Sequence, residues 1–448
     1  MNCSATVRHI LLILALLQAT VRVSAAEGTR DVSIPGTIAS DLSKDVTAEL
    51  NGFFASLPNG STVRVPAQAR YRIDGTVVIA GKENITVDGG GALFRAFDPG
   101  KHHAKQENYA GWKAVRNRAH IRIAGGRNIL IRDVEIHGAH PDAGKSGTYD
   151  ANREAQHGFD LVGVEDCTLE RVTVHDVYGD CVYMAKVRGV VVRGSKLTRC
   201  GRQGIAVATG EDVLIENNEI ADSRRGIIDI EPYGKAWHAS NIRIIGNRLG
   251  GSRLLLLPMG GSGTIGTVLI ADNVSTGDNG TPAIANTGKP DQRRGPFMMI
   301  NNRLTVGGSS APGARITHHD GVFIAGNELT FPESRRMTAL DLDGSRGAVV
   351  GNRFAGATAI MDNSRIVTAL ANDTASDSKG SPTEWKQIPG GFAARTILDD
   401  GAVVCLMRGG ATDVHPPERL DAYGHSTAAA FAWFHVRSGQ IVNTGSRE

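Results

Sequence analysis

The sequence predicts an all-β solenoid, a parallel β-helix, on three observations. One pattern is written four times at a constant step of 23 residues: HGFDL, DCVYM, QGIAV and GIIDI begin at His157, Asp180, Gln203 and Gly226. A fixed period of this size with strand-like content is the mark of a solenoid. Apolar and β-branched residues alternate within each period, which is strand periodicity. The 448 residues include 55 glycines but only 5% aromatics, a composition suited to many turns and short strands.

One coil per repeat stacks equivalent residues about 4.8 Å apart. Phe159, Val182, Ile205 and Ile228 form one apolar column, and Leu161, Met184, Val207 and Ile230 the next. Both point inward. The residues between them point outward, because successive side chains in a strand alternate. The outward columns are Asp160, Tyr183, Ala206, Asp229 and Val162, Ala185, Ala208, Glu231, with His157, Asp180 and Gln203 at the preceding turn. Acids, a tyrosine and an amide around small alanines predict a groove.

Along the chain, residues 1–26 have the form of a secretory signal peptide. Arg8 precedes the apolar run Ile10 to Leu17, and VSAAEG offers cleavage after Ala25 or Ala26. An exported, periplasmic or extracellular protein with no further membrane span is expected. The net charge of +3 supports no nucleic-acid partner. No signal for an oligomeric state is present. Cys3 would leave with the signal, while Cys167, Cys181, Cys200 and Cys405 remain. Export permits a bridge, but three of the four lie inside repeats, so buried free thiols are expected. No C-x-x-C occurs, and neither metal nor cofactor is expected.

Residues 27–58 form a lead and a helix. Val46, Leu50, Phe53 and Phe54 have helical spacing, with Ser43 as a candidate N-cap, and the helix would plug the open end of the solenoid. The β-helix proper spans 59–365. Residues 98–118 interrupt it with a basic segment containing Tyr109 and Trp112. From Ile136 to Val174 the step lengthens from 23 to 38 residues, so 138–156 form an insertion beside the acidic face. Residues 366–448 leave the coil pattern and read as a C-terminal cap or appendage.

The helix followed by GSTVRVP, YRI and ITVDGGG resembles the N-terminal part of proteins in the pectate-lyase-like right-handed β-helix superfamily, from about Asp45 to Asn352. The resemblance implies a right-handed solenoid. Asn218, Asn247, Asn273, Asn302, Asn327 and Asn352 recur at steps of 29, 26, 29, 25 and 25 residues. They resemble that superfamily's asparagine ladder.

Asp229 and Glu231 lie two apart on one strand, about 6.6 Å along it, and paired carboxylates are what glycoside hydrolysis requires. Asp180 lies two coils away, about 9.6 Å along the stack, and is expected to position substrate. Polygalacturonase-type hydrolases resemble this chain at Gly-Phe-Asp (158–160), Asp180-Cys181 and the two coils that follow. His157, Gly179 and Gln203 depart from that pattern, and Ile-Asp-Ile-Glu (228–231) stands where the family has a cationic motif. The resemblance therefore implies the site's location and not a polygalacturonase activity. A second chemistry, β-elimination by a polysaccharide lyase, would use His157 and Tyr183 as base and acid. Arg202, Gln203 and Arg225 are candidate substrate contacts, with Asp160 on the same face and Glu154 at the end of the insertion. Tyr109, Trp112, Tyr149 and Tyr233 are candidate sugar-stacking rings, and His137 with His175 stack at an earlier turn. The leading expectation is an exported enzyme hydrolysing a polysaccharide or oligosaccharide. The lyase and a non-catalytic glycan- or surface-binding β-helix stand as alternatives.

Overall fold

The computed structural model describes residues 30–100, 105–109, 112–116, 118–254, 256–276, 284–307, 312–319, 321–331, 337–361, 366–370, 383–388, 391–398, 401–408, 431–437 and 440–447. The expected signal peptide lies outside them.

Eleven parallel strands, one per coil, make the sheet that carries the acidic face, from Val77–Ala80 to Ala357–Met361. A 25-stranded sheet wraps the rest of each coil. The register follows the repeat: Phe159 pairs with Val182, Val182 with Ile205, and Ile205 with Ile228. All four are fully buried, as is the neighbouring column of Leu161, Met184, Val207 and Ile230. Parallel pairing needs each coil to present the same inward set in register with its neighbours, while the turns between strands take up the differences in step.

The asparagine ladder closes the corner between two strands of each coil. Asn273 Oδ1 accepts the Asn247 backbone N–H at 2.9 Å and the Asn247 side-chain amide at 3.0 Å. Asn302 Oδ1 does the same for Asn273, Asn327 for Asn302, and Asn352 for Asn327. The residue before each ladder asparagine has positive φ: Asn217, Gly246, Asp272, Asn301, Gly326 and Gly351. Only glycine, or Asn and Asp with their locally bonding side chains, adopts that conformation cheaply.

The N-terminal helix spans Thr47–Ser56 and buries Thr47, Leu50 and Phe54 against the first coil. Its cap residue is Val46, not Ser43. Asp45 serves its N-terminus instead, accepting the Thr47 N–H at 3.0 Å and the Thr47 hydroxyl at 2.6 Å. Asn51 ties the helix to the first strand of the site sheet, accepting the Val78 N–H at 2.7 Å and donating to the Thr76 carbonyl at 2.9 Å.

Five antiparallel strands follow the solenoid, from Thr383–Ile388 to Gln440–Arg447. Ala394 and Cys405 of this sheet pack on Leu269, Met298, Phe323 and Ala348, which face outward from the coils. That cover explains why 268–271, 297–300 and 322–325 are buried on both faces. The expectation of free thiols fails at one pair: Cys181 and Cys200 form a disulfide. They lie on different walls of one coil, and folding the corner brings their Cα atoms to 5.8 Å. Cys167 and Cys405 are free and buried.

Replacing Asn302 by Ala removes the acceptor of the Asn273 N–H and the amide donor to the Ile270 and Ile300 carbonyls, of which Ile300's keeps the Asp272 N–H. A loss of about 3 kcal/mol is expected from the cost of unpaired buried groups. Urea unfolding of the full chain checks it. Unchanged stability would mean that the ladder bonds contribute nothing net.

Candidate active site

A groove of about 940 Å³ lies along the site sheet. It runs from the strand Ile121–Ala124 to the strand Ile284–Thr287, seven coils or about 29 Å of stack. Its lining includes Glu154, His157, Asp160, Tyr183, Arg202, Gln203, Arg225, Asp229, Glu231 and Tyr233.

Asp229 and Glu231 form its centre. Asp229 lies on the strand Ile228–Ile230 and Glu231 directly follows it, and both line the groove. Asp229 is 4% exposed. Its carboxyl accepts the Gln203 side-chain amide. Burial, then the Glu231 charge beside it, push the Asp229 carboxyl well above the usual carboxylate range. Glu231 is much more open, with 39% of its side chain exposed.

Arg202 holds the charge balance. Its guanidinium lies 3.0 Å from Asp180, 3.5 Å from Glu231 and 3.7 Å from Glu154. Burial alone would lower its pKa, but Asp180 and the other anions around it carry it above the ordinary value. Asp180 is fully buried beneath the groove and absent from its lining. Its side chain does not face the groove, where the sequence reading put it, and its charge meets Arg202 instead. It also accepts the Gln203 backbone N–H at 2.9 Å. Burial raises the Asp180 carboxyl, yet Arg202, His157 and that N–H together take it below the usual range.

His157 and Tyr183 lie one coil apart with rings stacked at 4.4 Å and 5°. His157 Nδ1 is 3.1 Å from the Asp180 amide nitrogen and 3.3 Å from its carboxylate. The Tyr183 hydroxyl meets that of Tyr233 at 3.1 Å. Burial, then Tyr233, push the Tyr183 phenol up, which opposes release of its proton.

Asp160 lies on the floor, but its charge is committed to buried Arg122 at 2.6 Å. Sequence reasoning missed Arg122, although it occupies the Asp160 column one coil earlier. It also missed Trp237, whose ring lies 5.0 Å from that of Tyr233 at the groove's far end.

The insertion 138–156 lies over this side. His140 stacks on Tyr178 at 4.2 Å. The Lys145 N–H donates to Asp222 at 2.7 Å, and Arg224 to the Gly147 carbonyl at 2.7 Å, so the loop spans three coils. Tyr149 bonds Glu154 and lies under Arg225, whose guanidinium carbon is 5.3 Å from the ring centre. Trp112 belongs to a hairpin, Lys105–Tyr109 with Trp112–Arg116, and its side chain lies outside the described residues, as does that of Tyr109.

Asp180→Asn removes the nearest and most buried of the carboxylates that balance Arg202. A loss of about 3 kcal/mol is expected at pH 7, as for breaking one side of a buried pair. The lowered Asp180 pKa stabilises the fold above the ordinary carboxylate range, and this is lost as pH falls through the folded value. The gap between wild type and variant should therefore narrow in acid. A gap that widens as pH drops would contradict this pairing.

Residues 117–277 match the family described as the right handed beta helix region. No curated protein sequence matches the chain. Among solved structures, the surface protein and adhesin PfbA of Streptococcus pneumoniae is 12% identical with a TM-score of 0.51, covering 77% of this chain and 97% of its own. A Family 28 exopolygalacturonase of Yersinia enterocolitica is 13% identical, with a TM-score of 0.45 and coverage of 79% on each side. A mannuronan C-5 epimerase A-module of Azotobacter vinelandii is 15% identical, with a TM-score of 0.43 and coverage of 75% and 93%. At these identities the likeness is one of architecture, and the architecture is that of a right-handed parallel β-helix.

Proposed function

We propose that the groove binds an extended polysaccharide outside the cytoplasm and hydrolyses a glycosidic bond by acid–base catalysis. The observation that carries this reading is the asymmetry of Asp229 and Glu231. One carboxyl is buried and pushed well above the usual carboxylate range, while the other is open to the groove and lies beside Arg202. Two carboxyl groups with environments that push their pKa values apart divide the acid and base roles between them.

Asp229 donates its proton to the departing glycosidic oxygen. Glu231 faces the sugar as nucleophile or as base for a water. Such pairs flank a glycosidic bond at roughly 5 Å or more. Glu231 is the exposed member, so it is the one free to adjust its position to a sugar. Gln203 and Arg202 fix the two carboxyls, and Asp180 fixes Arg202 from behind. Tyr183, Tyr233 and Trp237 offer rings to the sugar faces, and Glu154 and Arg225 close the loop side.

The lyase alternative needs Tyr183 to give up a proton readily, and its raised pKa works against that. The family resemblance to polygalacturonase-type enzymes supports the place of the site and leaves the sugar open.

The test is a polysaccharide panel read for both reducing ends and unsaturated product. Reducing ends without ultraviolet absorbance are expected. Asp229→Asn and Glu231→Gln should each lower turnover by about 100-fold or more, the size assigned to acid–base catalysis, with folding intact. Unsaturated product that vanishes in His157→Ala would make the protein a lyase. Glycan binding without turnover would make the groove a binding surface.

Activity is expected to fall as pH rises through the raised Asp229 value, because the general acid is then lost. Stability follows the same sign. The folded chain binds a proton at Asp229 that the unfolded chain has released above about pH 3.9. Stability therefore declines with rising pH up to the folded pKa. Asp229→Asn should flatten that decline in thermal melts taken across pH.

A further inference from the structure

We infer that His137, His175 and Asp176 form a binding site for a divalent transition metal such as Zn2+, at the root of the inserted loop and outside the groove. The site follows from stacking. His137 ends the strand Arg127–His137 and pairs directly with His175 on the next coil. Their imidazoles project from the same outer face with ring centres 4.4 Å apart. Asp176 follows His175 with positive φ, which turns its carboxylate back over both rings. Nδ1 of His175 lies 2.6 Å from Asp176 Oδ2, and Nε2 of His137 lies 3.5 Å from the same oxygen. One nitrogen from each ring and one carboxylate oxygen lie within 4.8 Å of one another.

Two imidazoles and a carboxylate suit Zn2+ and its first-row neighbours. Zinc–nitrogen bonds of about 2.0–2.1 Å put ligand atoms about 3.3 Å apart in a tetrahedron. The His137 contact already has that spacing, and His175 must retreat by less than about 1 Å. The far atoms are held as metal ligands usually are. His175 Nε2 lies 3.1 Å from Glu135, and Asp176 Oδ1 accepts from Arg199 at 2.6 Å. Glu135 thus supplies the carboxylate that orients a ligating imidazole. Arg95 and Arg199 add positive charge, and Glu135 and Asp176 offset it. The three ligand side chains are 14–28% exposed, so the site meets solvent.

The metal would clamp two adjacent coils where the insertion leaves the solenoid. His140, three residues on from His137, already stacks on Tyr178, two residues on from Asp176. The inference does not depend on the chemistry assigned to the groove.

The test uses the full mature chain without a histidine tag, stripped with chelator and titrated with ZnCl2 by calorimetry. One equivalent is expected to bind, and the melting temperature to rise with free Zn2+. His137→Ala, at a part-exposed position that need not disturb the core, should weaken binding tenfold or more. Glu135→Gln should weaken it by about tenfold, the usual effect of losing an orienting partner. Glu231→Gln should bind zinc as the wild type does. Absence of saturable binding, an unchanged affinity in His137→Ala, or loss of binding in Glu231→Gln would each overturn the site.

Discussion

The solenoid depends on parallel stacking at a fixed rise. A coil is stable only if the coil above presents its backbone in register and its inward side chains in the same column. The inward positions are therefore shared property, and Phe159, Val182, Ile205 and Ile228 pack as one wall. The outward positions carry no such obligation. Chemistry collects there because an outward change disturbs neither the ladder of hydrogen bonds nor the core. Corners are constrained like the core. A left-handed residue followed by asparagine recurs from Asn218 to Asn352, because the backbone must turn sharply while its amides stay paired.

The groove converts this regularity into a graded electrostatic site. Asp180, Arg202, Asp229 and Glu231 come from three adjacent coils. Their spacing is set by the rise, so none of them needs a long loop to reach the others. Burial decreases from Asp180 through Asp229 to Glu231. One cation serves both the deepest and the most open of these carboxylates. The middle one faces an amide, Gln203, and its pKa stays raised. An arginine bonded directly to Asp229 would have lowered that pKa. An amide in that place solvates either protonation state without choosing the charged one.

The regular part of this arrangement was legible in the sequence. The inward columns, the outward face, the ladder and the pairing of Asp229 with Glu231 all follow from alternation and a constant step. What escaped lies at corners and in departures from the step. Asp180 was read as a groove residue, but it sits at a turn where alternation does not fix direction, and Arg202 draws it inward. Arg122 precedes the four clear repeats, so no column pointed to it. Cys181 and Cys200 lie 19 residues apart on different walls, and their meeting depends on the corner angle between them. The C-terminal sheet left a trace that is clear in retrospect. VLIA, FMMI and VFIA are apolar on both faces, which a strand open to water would not be.

The insertion shows how a solenoid acquires specificity without losing its core. It enters after His137 and returns at His157, so both ends are anchored by strands already in register. Between them it needs only surface contacts. It takes these from Asp222 and Arg224 three coils away, which lays it along the stack rather than outward into solvent. The result places Glu154 and Tyr149 against Arg202 and Arg225, on the wall that the regular coils cannot build from alanine-sized residues. A loop held at both ends and braced along its length loses little entropy when a ligand arrives. At its start it stays paired with the next coil, Gly138 donating to the His175 carbonyl and His140 to that of Asp176, which fixes the direction in which it leaves the solenoid.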